Sequence, residues 1–169
     1  GSEIAKLLVP FSPSMLILLD QSESPLHELE MEVKEKFFFT KYEAVIGDVS
    51  NRERMKRLFD LLKPQIVFHA AAYKHVPMME HNPSEAVLTN VLGTKVLADL
   101  SVDYNVEKFV LVSTDKAVNP TNVMGATKRI AEIYVQSLNK ITAQKSGTKF
   151  ITTRFGNVLE SNGSAIPRF

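Results

Sequence analysis

The chain contains no cysteine in 169 residues, which removes disulfides and thiolate metal sites and fits a reducing compartment. Charge of one sign is missing too: the formal net charge is +1, and Lys and Arg are scattered through helix-like stretches. Such a balance gives no footprint for a polyanion, so nucleic acid is not an expected partner. Long apolar runs are absent; "MLILL" and "FVLV" fall far short of a membrane span. No basic segment followed by an apolar core opens the chain, so no leader is legible. The expectation is a soluble cytoplasmic domain whose own residues make no direct membrane contact. Internal repeats and low-complexity segments are also lacking.

What is present is a 44% hydrophobic composition, enough for one well-cored domain over residues 1–169. Buried-type strands alternate with helical periods along it. Strands are expected at "SMLILLD" (14–20), "YEAVIGDV" (42–49), "QIVFHAAA" (65–72), "KFVLVST" (108–114) and "KFITTRFGN" (149–157). Helices are expected at 24–37, 51–62, 83–104 and 122–141, each with apolar residues on a helical period. This alternation predicts an α/β fold, a doubly wound parallel sheet of the Rossmann type with helices on both faces. Ligands of such sheets lie beyond the carboxyl ends of the strands. That rule singles out Asp20, Asp48, His69 to Ala72, Ser113 to Lys116 and Arg154 to Asn157.

Both ends read as cut. A dinucleotide-binding domain opens with a strand and a Gly-rich turn, whereas this chain enters "EIAKLLV" directly after Gly1-Ser2. Gly1 is either the last glycine of such a turn or, with Ser2, a cloning remnant. The expectation is a fragment without its first, central strand and without a C-terminal substrate lobe.

Several residues carry candidate chemistry. Asp20 closes a strand and is followed by Gln21 and Ser22, which suits a ribose with free hydroxyls; the alternative is a turn or helix cap. A carboxylate there favours NAD over NADP within an NAD(P) site. Asp48 and Val49 could flank adenine, or Asp48 could cap the next helix. Ala70, Ala71 and Ala72 allow close backbone approach to a cofactor, and Lys74 and His75 offer charge near a diphosphate. His69, His75 and His81 lack ligand spacing and an acidic cluster, so no metal site is expected. Asn90 sits inside a helix it does not favour, either as a packing residue or organising a site from behind. Thr114, Asp115 and Lys116 place a hydroxyl, a carboxylate and an amine in one turn. Met124 and Lys128 share a helical face, with a thioether where a Tyr-x-x-x-Lys pair would hold its phenol.

The segments "LILLDQSE", "GDVSNRERM", "HAAAYKHVPMMEHNPSEAVLTNVLGT", "FVLVSTDKAVNPTNVMGATKRIAE" and "TRFGNVLESNGSAIPRF" cover almost the whole chain. In them the sequence resembles the extended short-chain dehydrogenase/reductases. It is most similar to their UDP-N-acetylglucosamine 4,6-dehydratases of capsular polysaccharide biosynthesis. The resemblance implies oxidation at C4 of a UDP-sugar, elimination of water across C5 and C6, and return of hydride to C6. It implies Thr114 at the 4-hydroxyl, Asp115 as acid, Lys116 as base at C5 and Lys128 on the cofactor ribose. Met124 matches active family members that carry Met for Tyr. Lys74, His75, Asn90, Arg154 and Asn157 are then expected around the nucleotide-sugar. Glu160 departs from the small residue expected there. A homo-oligomer is the expected assembly, and a membrane-anchored parent protein is compatible, as in some longer members. The alternatives are a nucleotide-sugar epimerase of the same superfamily and an inactive, binding-only fragment.

Overall fold

A computed structural model describes residues 1–142 and 147–156. Asn157 and Glu160 lie outside the described residues. All five expected strands form: β1 Leu16–Asp20, β2 Tyr42–Ile46, β3 Ile66–His69, β4 Lys108–Thr114 and β5 Lys149–Phe155. Among the described residues every pairing is parallel, and the strands make two sheets, β1-β2 and β3-β4-β5, with no ladder joining them. The helices are α1 Ser2–Leu8, α2 Glu23–Glu35, α3 Arg52–Leu62, α4 Val76–His81, α5 Pro83–Ala86, α6 Thr94–Asp103 and α7 Val123–Thr142. The expected helix at 83–104 is continuous but widened: a π-helical stretch, Val87–Gly93, links α5 to α6. The sequence reading did not separate α4, which begins at a proline-containing first turn.

Strand β1 has the two-sided cover that the apolar run predicts. Leu16 and Leu18 join Ala5, Val9, Leu26 and Val33 on one face. Leu19, on the other face, packs against the larger core. In that larger core Phe109 and Leu111 of β4 meet Met55 and Phe59 of α3, Val96 and Leu100 of α6, and Ala131 and Val135 of α7. Phe109 is fully buried and stacks obliquely on Phe150 and His69, with ring centroids 5.5 and 6.0 Å away. Burying such a ring contributes about 1.5–3 kcal/mol. The opposite face of β3 and β5 departs from the expectation of cover on both sides. Ile66, Phe68 and Ile151 there remain 44%, 39% and 41% exposed among the described residues.

Local chemistry fixes the helix starts. The Asn51 side chain accepts from Arg54 N at 3.0 Å and caps α3. The alternative of Asp48 as that cap is corrected: its Oδ1 accepts from Ser50 N and Ser50 Oγ, both at 2.8 Å, in the turn before the helix. The start of α7 is held from two places. Glu80 of α4 accepts from Val123 N at 2.7 Å, and Asn122 accepts from Gly125 N at 2.8 Å.

Candidate active site

The carboxyl ends of β3 and β4 and the start of α7 converge on one edge. Thr114 ends β4, and a single 3-10 turn, Asp115–Ala117, follows. The Thr114 hydroxyl donates to Asp115 Oδ1 at 2.9 Å and accepts from Lys116 N at 3.3 Å. Lys116 Nζ stands 3.3 Å from the same Asp115 oxygen. These bonds draw the three side chains into one cluster in which both charged groups stay partly in solvent. The Thr114 hydroxyl, with help from Lys116, holds the Asp115 carboxyl below its ordinary value. Asp115 therefore rests as a carboxylate.

Helix α7 presses on this turn. A methyl group on Gly125 would meet the Lys116 carbonyl oxygen at 2.3 Å, so only glycine permits the approach. Met124, the residue before it, does not face the cluster. It is 3% exposed and packs with Met79 and Ala86, flanked by Tyr73, Val76 and Val123. The helical stride that pairs it with Lys128 holds, yet its thioether serves as an apolar tie between α4 and α7. Lys128 is also buried, and its Nζ donates to Val112 O of β4 at 2.7 Å. Burial pushes the Lys128 ammonium down to about 8, with Glu132 opposing that shift.

Asn90 occupies the centre of the π-helical stretch and is fully buried. Its Oδ1 accepts from Tyr73 N at 2.9 Å, and its Nδ2 donates to Tyr73 O at 3.1 Å and Thr127 Oγ1 at 3.0 Å. With both amide hydrogens spent, it holds the loop after β3 to α7 and offers no open face to a ligand. The expected place among substrate contacts is corrected to the organising role. Widened turns of this kind recur at functional sites.

The dinucleotide side is looser. Asp20 is exposed at the end of β1, and its Oδ1 accepts from Ser22 N at 2.8 Å, closing the turn before α2. Ser22 is the N-cap residue of α2 but makes no side-chain cap bond. Gly1 reaches towards both sheets: its added Cβ would lie 4.0 Å from Ala70 Cβ, and its amine feels Asp20 and Lys74. Ala70, Ala71 and Ala72 are half-buried. Val49 is buried and set tightly on Gly93, where a methyl would stand 2.6 Å from it. Lys74 and His75 border a cleft of about 380 Å³ with Met78 and Glu85.

His69 is buried, and its Nε2 lies 2.9 Å from Thr94 Oγ1. Since Thr94 donates to Asn90 O, the ring donates to Thr94. Burial, with Lys128 nearby, pushes its pKa down to about 3. It is a neutral structural residue, and among the described residues no His, Cys, Asp and Glu group could hold a metal. No helix among them is long and apolar enough to cross a membrane.

The sequence reading missed Glu132, which is fully buried and chelated by Arg154: Nε–Oε1 is 2.8 Å and Nη2–Oε2 is 2.7 Å. Arg129 adds a bond at 3.0 Å. The Arg154 guanidinium, expected to face a ligand, is thus engaged within the protein. A signal was available: Met124, Lys128 and Glu132 follow one another at four-residue steps, beside the apolar Ala131 and Val135.

Parallel strands with helices between them and a polar cluster at the strand ends define a Rossmann-type α/β protein. The X-ray structure of Pen from Bacillus thuringiensis shares that fold with a TM-score of 0.90 and 35% identity, over 99% of this chain and 50% of that one. The chain belongs to the polysaccharide biosynthesis protein family, which it matches over residues 1–169. It is 48% identical to the capsular polysaccharide biosynthesis protein CapD of Staphylococcus aureus, across 100% of this chain and 28% of that protein. A UDP-N-acetylglucosamine 4,6-dehydratase (inverting) of Campylobacter jejuni is 37% identical over 96% of this chain and 47% of its own length. A UDP-glucose 4-epimerase of Rickettsia rickettsii is 42% identical over 73% and 36%. The chain therefore spans less than half the length of these curated relatives.

Proposed function

We propose that the chain is the cofactor-binding half of a nucleotide-sugar 4,6-dehydratase acting on UDP-N-acetylglucosamine. The observation that carries this reading is the Thr114, Asp115 and Lys116 cluster, which gathers a hydroxyl, a carboxylate and an amine at one strand end. The dehydratase among the relatives supports it.

The residues fit an NAD-type dinucleotide. Asp20 presents an exposed carboxylate at a strand end for ribose hydroxyls, and that charge disfavours a 2′-phosphate. Small side chains at Ala70, Ala71 and Ala72 leave room for backbone approach, and Lys128 has ammonium hydrogens beyond the one given to Val112 O. When bound, NAD would supply the acceptor for the C4 hydride and the donor for C6.

The protein's own residues move the protons. Thr114 orients the 4-hydroxyl, and the Asp115 carboxylate takes its proton as C4 becomes a ketone. The ketone acidifies C5–H, which Lys116 removes as the base. Asp115 passes its proton to the departing C6 hydroxyl, which leaves as water. Lys116 then returns a proton to C5 as C6 is reduced, so the sugar loses one water and both side chains end as they began. Met124 takes no proton, which leaves that work to Asp115. Lys74 and His75 beside the cleft, with Asn157, are the proposed contacts of the nucleotide-sugar.

The test is the mass of the product formed by the longer protein from UDP-N-acetylglucosamine. A product lighter by one water supports the dehydratase. A product of unchanged mass supports the second reading, a nucleotide-sugar epimerase, which the Rickettsia relative favours.

A further inference from the structure

The buried charges of α7 form a stripe. Lys128 and Glu132 lie one helical turn apart on the face turned to the sheet, and both are almost sealed from water, at 4% and 0% exposure. An acid in that position is costly unless it is paired and hydrogen-bonded. Glu132 meets both conditions. Arg154 reaches it from β5 with two parallel bonds, and Arg129 reaches it from its own helix. The buried Ser113 hydroxyl of β4, which has no well-formed hydrogen bond among the described residues, also lies close to it.

We propose that Glu132 is a positioning residue of the active site: its carboxylate locks Arg154 of β5 onto α7 and stands as counter-charge to the buried Lys128 ammonium. The inference deepens the cofactor-gripping role given to Lys128 in the proposed function. Its first consequence concerns β5. Arg154 precedes Gly156 by two residues, and a methyl on Gly156 would stand 4.0 Å from Asp115 Oδ2. The lock therefore sets where the end of β5 passes the Asp115 carboxylate.

The second consequence concerns charge. Burial favours the neutral amine of Lys128, whereas Glu132 favours the ammonium. Burial likewise opposes the Glu132 carboxylate, but Arg154, Ser113 and Arg129 overcome it and hold the group at about 2. From β3 the neutral His69 faces Lys128, and from β4 the Val112 carbonyl accepts its bond. Other charged groups meet α7 at different turns. Lys116 adjoins Gly125, Asp115 lies by Gly156 of the chain after β5, Glu80 caps Val123, and Lys95 and Asp99 of α6 hold Tyr134. Glu132 is the acid placed to govern Lys128.

The test is a titration of Lys128 by NMR in protein labelled with ¹³C at the lysine ε-carbon. It needs no cofactor and no turnover, so its outcome is separate from that of the dehydratase reading. Glu132→Gln keeps the shape and removes the charge; the expected result is a proton affinity of Lys128 about tenfold weaker. Arg129→Gln, which frees the Glu132 charge from one partner, is expected to move Lys128 the opposite way by a smaller amount. A Glu132→Gln protein that is less stable but titrates Lys128 as the parent does would overturn the proposal, because a purely structural acid behaves that way. If Glu132→Gln does not fold, the half-exposed Arg129 carries the test, and an unmoved Lys128 in Arg129→Gln overturns it equally.

Discussion

Two polar clusters lie on either side of the β4 end, and they are built on opposite principles. Thr114, Asp115 and Lys116 hold each other by short-range bonds within one turn, with their charged ends reaching solvent. Lys128, Glu132 and Arg154 join two elements 22 residues apart in sequence at the acid–guanidinium pair, and the acid is fully buried. Exposed ion pairs contribute little to stability, whereas breaking one partner from a buried pair is severe. Charges that reach solvent thus lie beside charges sealed from it.

The largest effect is expected from Arg154→Ala, which leaves the buried Glu132 carboxylate with Arg129 as its remaining guanidinium partner. Loss of a partner from such a pair costs about 3–5 kcal/mol, to be read from the urea unfolding midpoint. Gly125→Ala comes next, since its methyl would drive into the Lys116 carbonyl; overpacking of this kind costs about 1–3 kcal/mol. That variant crosses the divide, because it should also displace the exposed turn and lower activity of the longer protein.

Acid provides the third way to break the comparison. His69 has a folded pKa near 3 against 6.5, so the unfolded chain binds its proton first as pH falls below 6.5. Glu132, near 2 against 4.5, adds to the same loss below 4.5. Both groups stabilise the fold fully only above their unfolded values, and stability should fall from pH 6.5 towards 2. Each proton contributes a slope of about 1.4 kcal/mol per pH unit. Thermal unfolding followed across that range should show the decline, and His69→Gln should flatten its upper part. The smallest effect belongs to Lys116→Ala and Asp115→Asn. Their stability should stay within about 0.5 kcal/mol of the parent while product formation in the longer protein is lost. Equal stability losses in both clusters would erase the distinction.

The sequence reveals the strands and the exposed cluster for the same reason: their signals are local. Apolar runs such as 16–20 and 108–112 declare buried strands, and a hydroxyl, an acid and an amine in a row declare a polar turn. The buried lock is carried by two distant residues, Glu132 and Arg154, and nothing in the spacing joins them. Met124 was legible as a partner of Lys128 on one helical face, but burial against Met79 depends on α4, whose six residues carry too little periodicity to stand out. Asn90 shows the same limit. Its poor fit to a helix marks it as unusual, while its bonds to Tyr73 and Thr127 come from the tertiary fold.

At the start of α7, three chain segments meet within four residues. Glu80 holds Val123, Asn122 holds Gly125, and the Lys116 carbonyl leaves no space beyond glycine. A library that randomised these positions one at a time would find few survivors. Tolerated changes would be inherited as a block, so Glu80, Asn122 and Gly125 are poor sites for single-residue engineering. The exposed side chains of Asp115 and Lys116 sit on that fixed frame and are the place to exchange one chemistry for another.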